Sequence, residues 1–415
     1  MRIYYENEIS KNKKFQNGGI MISKKAERIT PSPTLTIDAK YKSMIANGED
    51  AVGFGCGEPD FDTPQYIKDA AIDAMLKGQT KYTPAAGTME LRKAVAAKFL
   101  RENGIEYEPT QIVISNGAKH SLMNTFLALL NPEDEVLIPA PYWVSYPEMV
   151  KLADGVPVSV ATKEENDFKA SAEDFKKALT PKTKAIVINS PSNPTGMVYT
   201  EAELREIAKI AVENDLYVIS DEVYEHLIYS GKHISIASFG EDIKERTITI
   251  NGVSKTYAMT GWRIGYAAAN AKIAKAMASI QSHGASNPNS IAQAAAVAAL
   301  CGGLSEVERM RAEFVKRRDF LVDAINGISG VSCKKPQGAF YIMMNIDGVI
   351  GKKFQGQRIE NADSFAKLLL EAEKMAIVPG TGFGAPNYVR WSYAVDMESI
   401  KKGIERLKDF LGQLD

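Results

Sequence analysis

The chain has 415 residues, of which 45% are hydrophobic and 24% charged, and its net charge at pH 7 is −1. That length exceeds one ordinary core, so two domains are expected, and the balanced charge gives no reason to expect a nucleic-acid partner. No apolar run reaches the roughly 18 residues of a membrane span, the odd, scattered Cys56, Cys301 and Cys333 fit a reducing cytoplasm, and four histidines without ligand spacing argue against a metal site.

Residues 1–20 are polar and mixed in charge. They lack the apolar stretch of a secretion signal, and Glu6 and Glu8 argue against a transit peptide. They are read as an N-terminal tail. From residue 65 onward, helical and strand patterns alternate. Helices are predicted over 65–77, 89–103, 118–130, 143–152, 171–179 and 201–214. Strands are predicted over 112–115, 135–139, 157–160, 185–189, 247–250 and 263–267, and a further apolar run from Leu216 ends in the carboxylate of Asp221. This alternation indicates an α/β fold with a mostly parallel sheet covered on both faces. The alanine-rich segment 271–300 is helical with a break at Asn287-Pro288. A long charged helix over 304–325 leads into shorter strands and helices. The glycine clusters at 53–57 and 380–384 are not G-x-G-x-x-G opening a helix after a strand, so a dinucleotide site is not indicated.

The chemistry concentrates at predicted strand ends, where open α/β sheets bind ligands. Lys255 lies just past the 247–250 strand, and Arg263 follows eight residues later. A lysine amine forms a Schiff base with an aldehyde. An arginine grips a phosphate through two parallel hydrogen bonds. Pyridoxal 5′-phosphate carries both groups, and its enzymes also need an acid opposite the pyridinium nitrogen. Asp221 is the candidate acid, with its neighbour Glu222 as rival. Asn193 lies in the rigid loop after the 185–189 strand, where a turn former beside Pro194 is the simpler reading. Gly117, Ala118 and Lys119 open a helix after a strand, where free N–H groups favour an anion.

Several segments carry a resemblance in one consistent order. They are Gly55-Cys56-Gly57-Glu58-Pro59-Asp60, Lys81-Tyr82-Thr83-Pro84, Ser115-Asn116-Gly117-Ala118-Lys119, Pro141-Tyr142-Trp143, Ser254-Lys255 through Arg263, and Tyr388-Val389-Arg390-Trp391. Together they resemble the class I, fold-type I aminotransferases, in the bacterial and plant aspartate and prephenate branch, from about Ile22 to the C-terminus. The resemblance implies a large cofactor-binding domain at 61–311 with a seven-stranded sheet. It also implies a smaller α+β domain from 21–60 and 312–415, and a cytoplasmic homodimer with shared active sites.

It further implies roles. Lys255 is the Schiff-base lysine and proton carrier, Asp221 faces the pyridine nitrogen, and Tyr224 and Asn193 reach the phenolic oxygen. Arg263, Gly117, Ala118 and Lys119 surround the phosphate, with Tyr82 reaching the partner's phosphate. Trp143 stacks on the ring. Arg390, with Asn193 and the backbone of Gly57, holds the substrate α-carboxylate. No arginine lies between Arg263 and Arg309, so the arginine with which another branch binds the distal carboxylate is missing. Lys119, assisted by Ser32 and Thr34, occupies the place that does this task in the branch resembled. The expected reaction transfers the amino group of L-aspartate to 2-oxoglutarate by a ping-pong cycle, giving oxaloacetate and L-glutamate. Thr83 matches members that also convert prephenate to arogenate. The rivals are an aromatic, alanine or kynurenine aminotransferase, a carbon–sulfur lyase, and a cofactor-binding transcription regulator. The last needs a DNA-binding module for which about twenty additional residues are too few.

Overall fold

The structure, a computed structural model, describes residues 22–415; the tail read at 1–20 lies outside the described residues. Seven strands form the main sheet: β1 (Ile112–Ser115), β2 (Glu135–Ala140), β3 (Val156–Ala161), β4 (Thr183–Asn189), β5 (Tyr217–Asp221), β6 (Thr247–Gly252) and β7 (Gly265–Ala268). Their order is β1-β7-β6-β5-β4-β2-β3. Only β7 runs against its neighbours; the remaining pairs are parallel. Every residue of β1, β6 and β7 is buried, as a sheet covered on both faces requires.

The elements follow the predicted alternation, with local differences at their ends. The helix expected over 143–152 is Ser145–Leu152. The one expected over 89–103 is α-helical through Lys98 and closes in a wider π turn, Phe99–Asn103, ended by Gly104 in the left-handed region. The strand expected from 263 starts at Gly265, because Arg263 itself takes a φ of 56° after the short turn Thr260–Trp262. The 271–300 segment is two helices, Ala271–Gly284 and Ser290–Cys301.

Helix Ser305–Asn326 passes from one core to another. Val307 packs with residues around β1, whereas Met310, Phe314 and Leu321 pack in a second core. That second core backs a four-stranded antiparallel sheet in the order Val378–Pro379, Tyr388–Ser392, Tyr341–Asn345, Ser332–Cys333. Helix Met397–Gly412 covers it with Ile400, Ile404, Leu407 and Phe410, the three-to-four spacing of an amphipathic helix. The N-terminal segment joins this side, since Val52–Gly53 pairs in parallel with Met375–Ala376. Helix Pro33–Ala46 precedes it, with Ser32 as its N-cap and proline in its first turn, both favourable starts. A small cluster spans the two sides: Val144 and Phe168 pack with Met343, Val378 and Phe383.

Candidate active site

Three adjacent parallel strands deliver the polar groups to one edge. The last residue of β4, Asn189, lies beside Asp221, the last residue of β5, and Asp221 is in register with Ile250 of β6. Asn189 then organises the following loop. Its side-chain nitrogen donates to the Asp221 carbonyl at 2.9 Å, and its oxygen accepts from the Asn193 backbone at 2.7 Å. Past β6, the short helix Val253–Thr256 carries Lys255. β1 ends at the same edge, and helix Ala118–Leu129 starts there with Gly117 as its N-cap.

Gly117 has a φ of 83°, and a Cβ there would lie 2.4 Å from Nη2 of Arg263. The guanidinium therefore packs directly on the glycine, beside the first free N–H groups of the helix. Arg263 is fixed by donating to the Thr260 carbonyl at 2.7 Å. The pair forms a cationic cradle suited to a phosphate.

The cleft above this edge encloses about 1000 Å³, its open mouth included. Ser32, Thr34, Gly57, Ala118, Lys119, Trp143, Asn193, Asp221, Tyr224, Lys255, Arg263 and Arg390 all line it. Of the residues singled out from the sequence, Gly117 sits behind Arg263, and Tyr82 is 92% exposed and outside the cleft. The structure thus brings together residues from nearly the whole chain, including Ser32 at one end and Arg390 at the other.

Electrostatics at the site follow from burial. Burial raises the Asp221 carboxyl to about 6, against the opposing pull of a hydrogen bond from Tyr146. The enclosed amine of Lys255 is pushed down to about 8, first by burial, and it donates to the Gly57 carbonyl. Arg390 is 2% exposed and donates to Asn193 Oδ1 at 3.0 Å and to the Gly55 carbonyl at 2.9 Å. Its Nε has no hydrogen-bond partner among the described residues. Lys119 places its Nζ 4.9 Å from the Trp143 ring centroid, and partial burial followed by the charge of Arg263 lowers its pKa.

These groups fit pyridoxal phosphate. A lysine poised toward its neutral, nucleophilic form, a buried acid with no ion-pair partner among the described residues, and a cradle of guanidinium and helix N–H groups are the three things that cofactor needs.

Sequence reasoning passed over Ser254, Tyr146 and Tyr341, which also line the cleft. Ser254 had a signal in its adjacency to Lys255. Tyr341 lies in an apolar run and reads as core, and Tyr146, between Ser145 and Pro147, carries no mark of a site role. The absence of histidine spacing also concealed a cluster. His226 and His233 gather with Glu102, Glu222 and Glu225 in two groups whose ligand atoms lie within 4.8 Å of one another. Lys98 Nζ already binds Glu225 there and lies 3.5 Å from Glu102, so the cluster holds its own cation.

Comparison with known proteins agrees with this geometry. The family described as aminotransferase class I and II matches residues 49–407. The chain is 51% identical to an aspartate aminotransferase of Bacillus subtilis, over 94% of this chain and 98% of that protein. It is 47% identical to a probable aspartate/prephenate aminotransferase of Aquifex aeolicus, over 95% and 99%. The solved aspartate aminotransferase of Thermus thermophilus with maleate superposes with a TM-score of 0.89 at 43% identity, covering 94% of this chain and all of that one. A half-buried lysine, a buried acid and a phosphate cradle at one sheet edge, in a sequence matched over nearly its whole length, mean that the chain belongs to the class I and II aminotransferases, which are pyridoxal 5′-phosphate enzymes.

Proposed function

We propose that the protein transfers the amino group of L-aspartate to 2-oxoglutarate, giving oxaloacetate and L-glutamate, and that prephenate is an additional acceptor giving arogenate. The observation that carries the dicarboxylate reading is Lys119, which lines the cleft with Ser32 and Thr34 and has no carboxylate partner among the described residues. An acidic group brought into such a cleft needs a charge partner. The names of the Bacillus and Aquifex relatives support aspartate and prephenate, and maleate in the Thermus structure is itself a dicarboxylate.

In this reading Arg390 forks the α-carboxylate, with Asn193 and the Gly57 backbone beside it. Lys119 with Ser32 and Thr34 takes the distal carboxylate, and Trp143 covers the ring face. Asp221 holds the proton on the pyridine nitrogen, Tyr224 and Asn193 meet the phenolic oxygen, and Arg263 with Gly117, Ala118 and Lys119 surrounds the phosphate. The cofactor, when bound, supplies an electron sink for the carbanion at the substrate Cα. With the cofactor bound, the Lys255 amine would move a proton between the substrate Cα and the cofactor's C4′. A base near pH 8 suits that task.

The division into 61–311 and 21–60 with 312–415 is supported by the change of core between Val307 and Met310. A homodimer is supported by the apolar surface left on helix Gln65–Leu76, where Ile72, Met75 and Leu76 are exposed, and by the exposed Tyr82. Tyr82 then reaches the phosphate of the other copy. No single helix among the described residues is long and apolar enough to cross a membrane, which accords with a cytoplasmic location.

The experiment is an absorption titration of the purified protein. L-Aspartate should remove the visible band of the lysine-bound cofactor, 2-oxoglutarate should restore it, and prephenate should restore it as well. A band indifferent to aspartate but responsive to phenylalanine or alanine would overturn the dicarboxylate assignment.

A further inference from the structure

Tyr341 touches both halves of the proposed site, and none of the roles above includes it. It begins the strand Tyr341–Asn345, antiparallel to the strand that carries Arg390. Its side chain is almost wholly buried, at 1% exposure, and lines the cleft. Its hydroxyl lies 2.9 Å from the hydroxyl of Tyr224. Its ring sits under the guanidinium of Arg390, 4.5 Å from centroid to Cζ. A Cβ added to Gly57 would lie 3.1 Å from the same hydroxyl, so the Gly57 loop closes over it.

The proton count between the two phenols fixes a direction. Each hydroxyl carries one proton. If Tyr224 donates its proton to the cofactor's phenolic oxygen, then the contact between the tyrosines has one donor left, Tyr341. A hydroxyl that accepts a hydrogen bond becomes a stronger donor in its own right. Meanwhile the face of the same ring is the surface on which Arg390 rests, a cation–π contact removed from water.

We propose that Tyr341 is a positioning residue that couples the cofactor's phenolic oxygen, through Tyr224, to the carboxylate-binding Arg390. The two functions separate by substitution. Tyr341→Phe keeps the ring under Arg390 and removes only the hydroxyl. Tyr341→Leu removes the aromatic face as well. The inference rests on the roles given above to Tyr224 and Arg390.

The test follows the pH at which the visible band of the lysine-bound cofactor titrates, in holoenzyme, for the parent, Tyr341→Phe, Tyr224→Phe and the double variant. Loss of the Tyr224 donor should raise the midpoint by about one to two pH units. Loss of the Tyr341 hydroxyl should raise it by on the order of 0.5 unit. In the double variant the midpoint should equal that of Tyr224→Phe alone, because Tyr341 acts only through Tyr224. In steady-state kinetics Tyr341→Phe should leave KM for aspartate near the parent value. Tyr341→Leu should raise KM by roughly five- to thirty-fold, and by a similar factor for other amino acids, since all present the same α-carboxylate. A Tyr341→Phe midpoint equal to the parent's, or a shift that persists without the Tyr224 hydroxyl, overturns the coupling. A Tyr224→Phe midpoint equal to the parent's overturns the role of Tyr224 itself, and the coupling with it.

Discussion

Tyr146 donates its hydroxyl proton to Oδ2 of Asp221 across 2.6 Å, in a part of the core where both side chains are almost fully excluded from solvent. Besides the Val223 N–H at 3.4 Å, this bond holds the carboxylate that is proposed to face the pyridine nitrogen. Hydrogen bonds to charged groups contribute about 1.5–3 kcal/mol. Tyr146→Phe, which keeps the ring, should therefore lower kcat/KM for aspartate by roughly ten- to a hundred-fold. It should also move the Asp221 carboxyl further up, since the Tyr146 bond is the largest of the effects that oppose burial there. Steady-state kinetics at pH 8 check the first effect. A variant with parental kcat/KM would mean that Asp221 is held adequately without Tyr146.

Asp221 also predicts how stability depends on pH. Its folded value is about 6 against an ordinary 3.8. Between those values the folded protein holds more protons than the unfolded chain, so this group's contribution to stability falls as pH rises through the window and is lowest above about 6. The full loss is about 3 kcal/mol at most. Asp221→Asn carries no titrating group there. In urea unfolding of cofactor-free protein, the parent should lose up to that amount relative to Asp221→Asn between pH 4 and 7. Asp221→Asn should be the more stable at pH 7 and the poorer enzyme. Parallel pH profiles in the two proteins would show that Asp221 titrates normally.

Where apolar runs end in a polar residue, the site was legible in the sequence. Asp221 closes β5, Lys255 follows β6 and Gly117 follows β1, and a parallel sheet brings such ends to one edge whatever their separation along the chain. Arg390 and Lys119 were assigned their roles by resemblance and lie in the cleft as expected. Tyr146 and Tyr341 escaped because a tyrosine's place in the sequence carries no mark of which way its hydroxyl points. The histidine–carboxylate cluster escaped for a different reason: Lys98 and Glu225 are 127 residues apart and meet only in the folded chain. The strand beginning at 265 and not 263 reflects the left-handed backbone at Arg263, which periodicity does not report.

Lys119 should discriminate among substrates. It lines the cleft with Ser32 and Thr34, whereas Arg390 is held by Asn193 and Gly55. Lys119→Ala should raise KM for aspartate by at least about ten-fold, the value of a charge-assisted hydrogen bond, while kcat/KM for phenylalanine changes little. Equal losses for aspartate and phenylalanine would assign Lys119 to the phosphate cradle alone.

The last prediction concerns the buried cluster behind the site. Lys98 is 1% exposed, donates to Asn103 Oδ1 at 2.8 Å, and binds Glu225. Glu225 also accepts from Asn103 at 2.8 Å and from Asn251 at 2.7 Å. Burial alone would raise the Glu225 carboxyl, but the charges of Lys98, His226 and His233 outweigh it and hold it well below the usual carboxylate range. Glu225 follows Tyr224, and Asn251 lies four residues before Lys255, so the cluster braces the backbone that presents both. Lys98→Met leaves a buried carboxylate without its main cation, a defect worth about 3–5 kcal/mol. A group with a depressed folded pKa stabilises above its unfolded value and loses that contribution as pH falls. The variant should therefore unfold at lower urea at pH 7.5, and its deficit against the parent should shrink as pH falls, because Glu225 without Lys98 takes up a proton at a higher pH. Adding Glu225→Gln should cost less than the two single changes summed, because the second substitution removes the charge that the first left bare. Strict additivity would show that Lys98 and Glu225 contribute independently and that their contact does not brace the site.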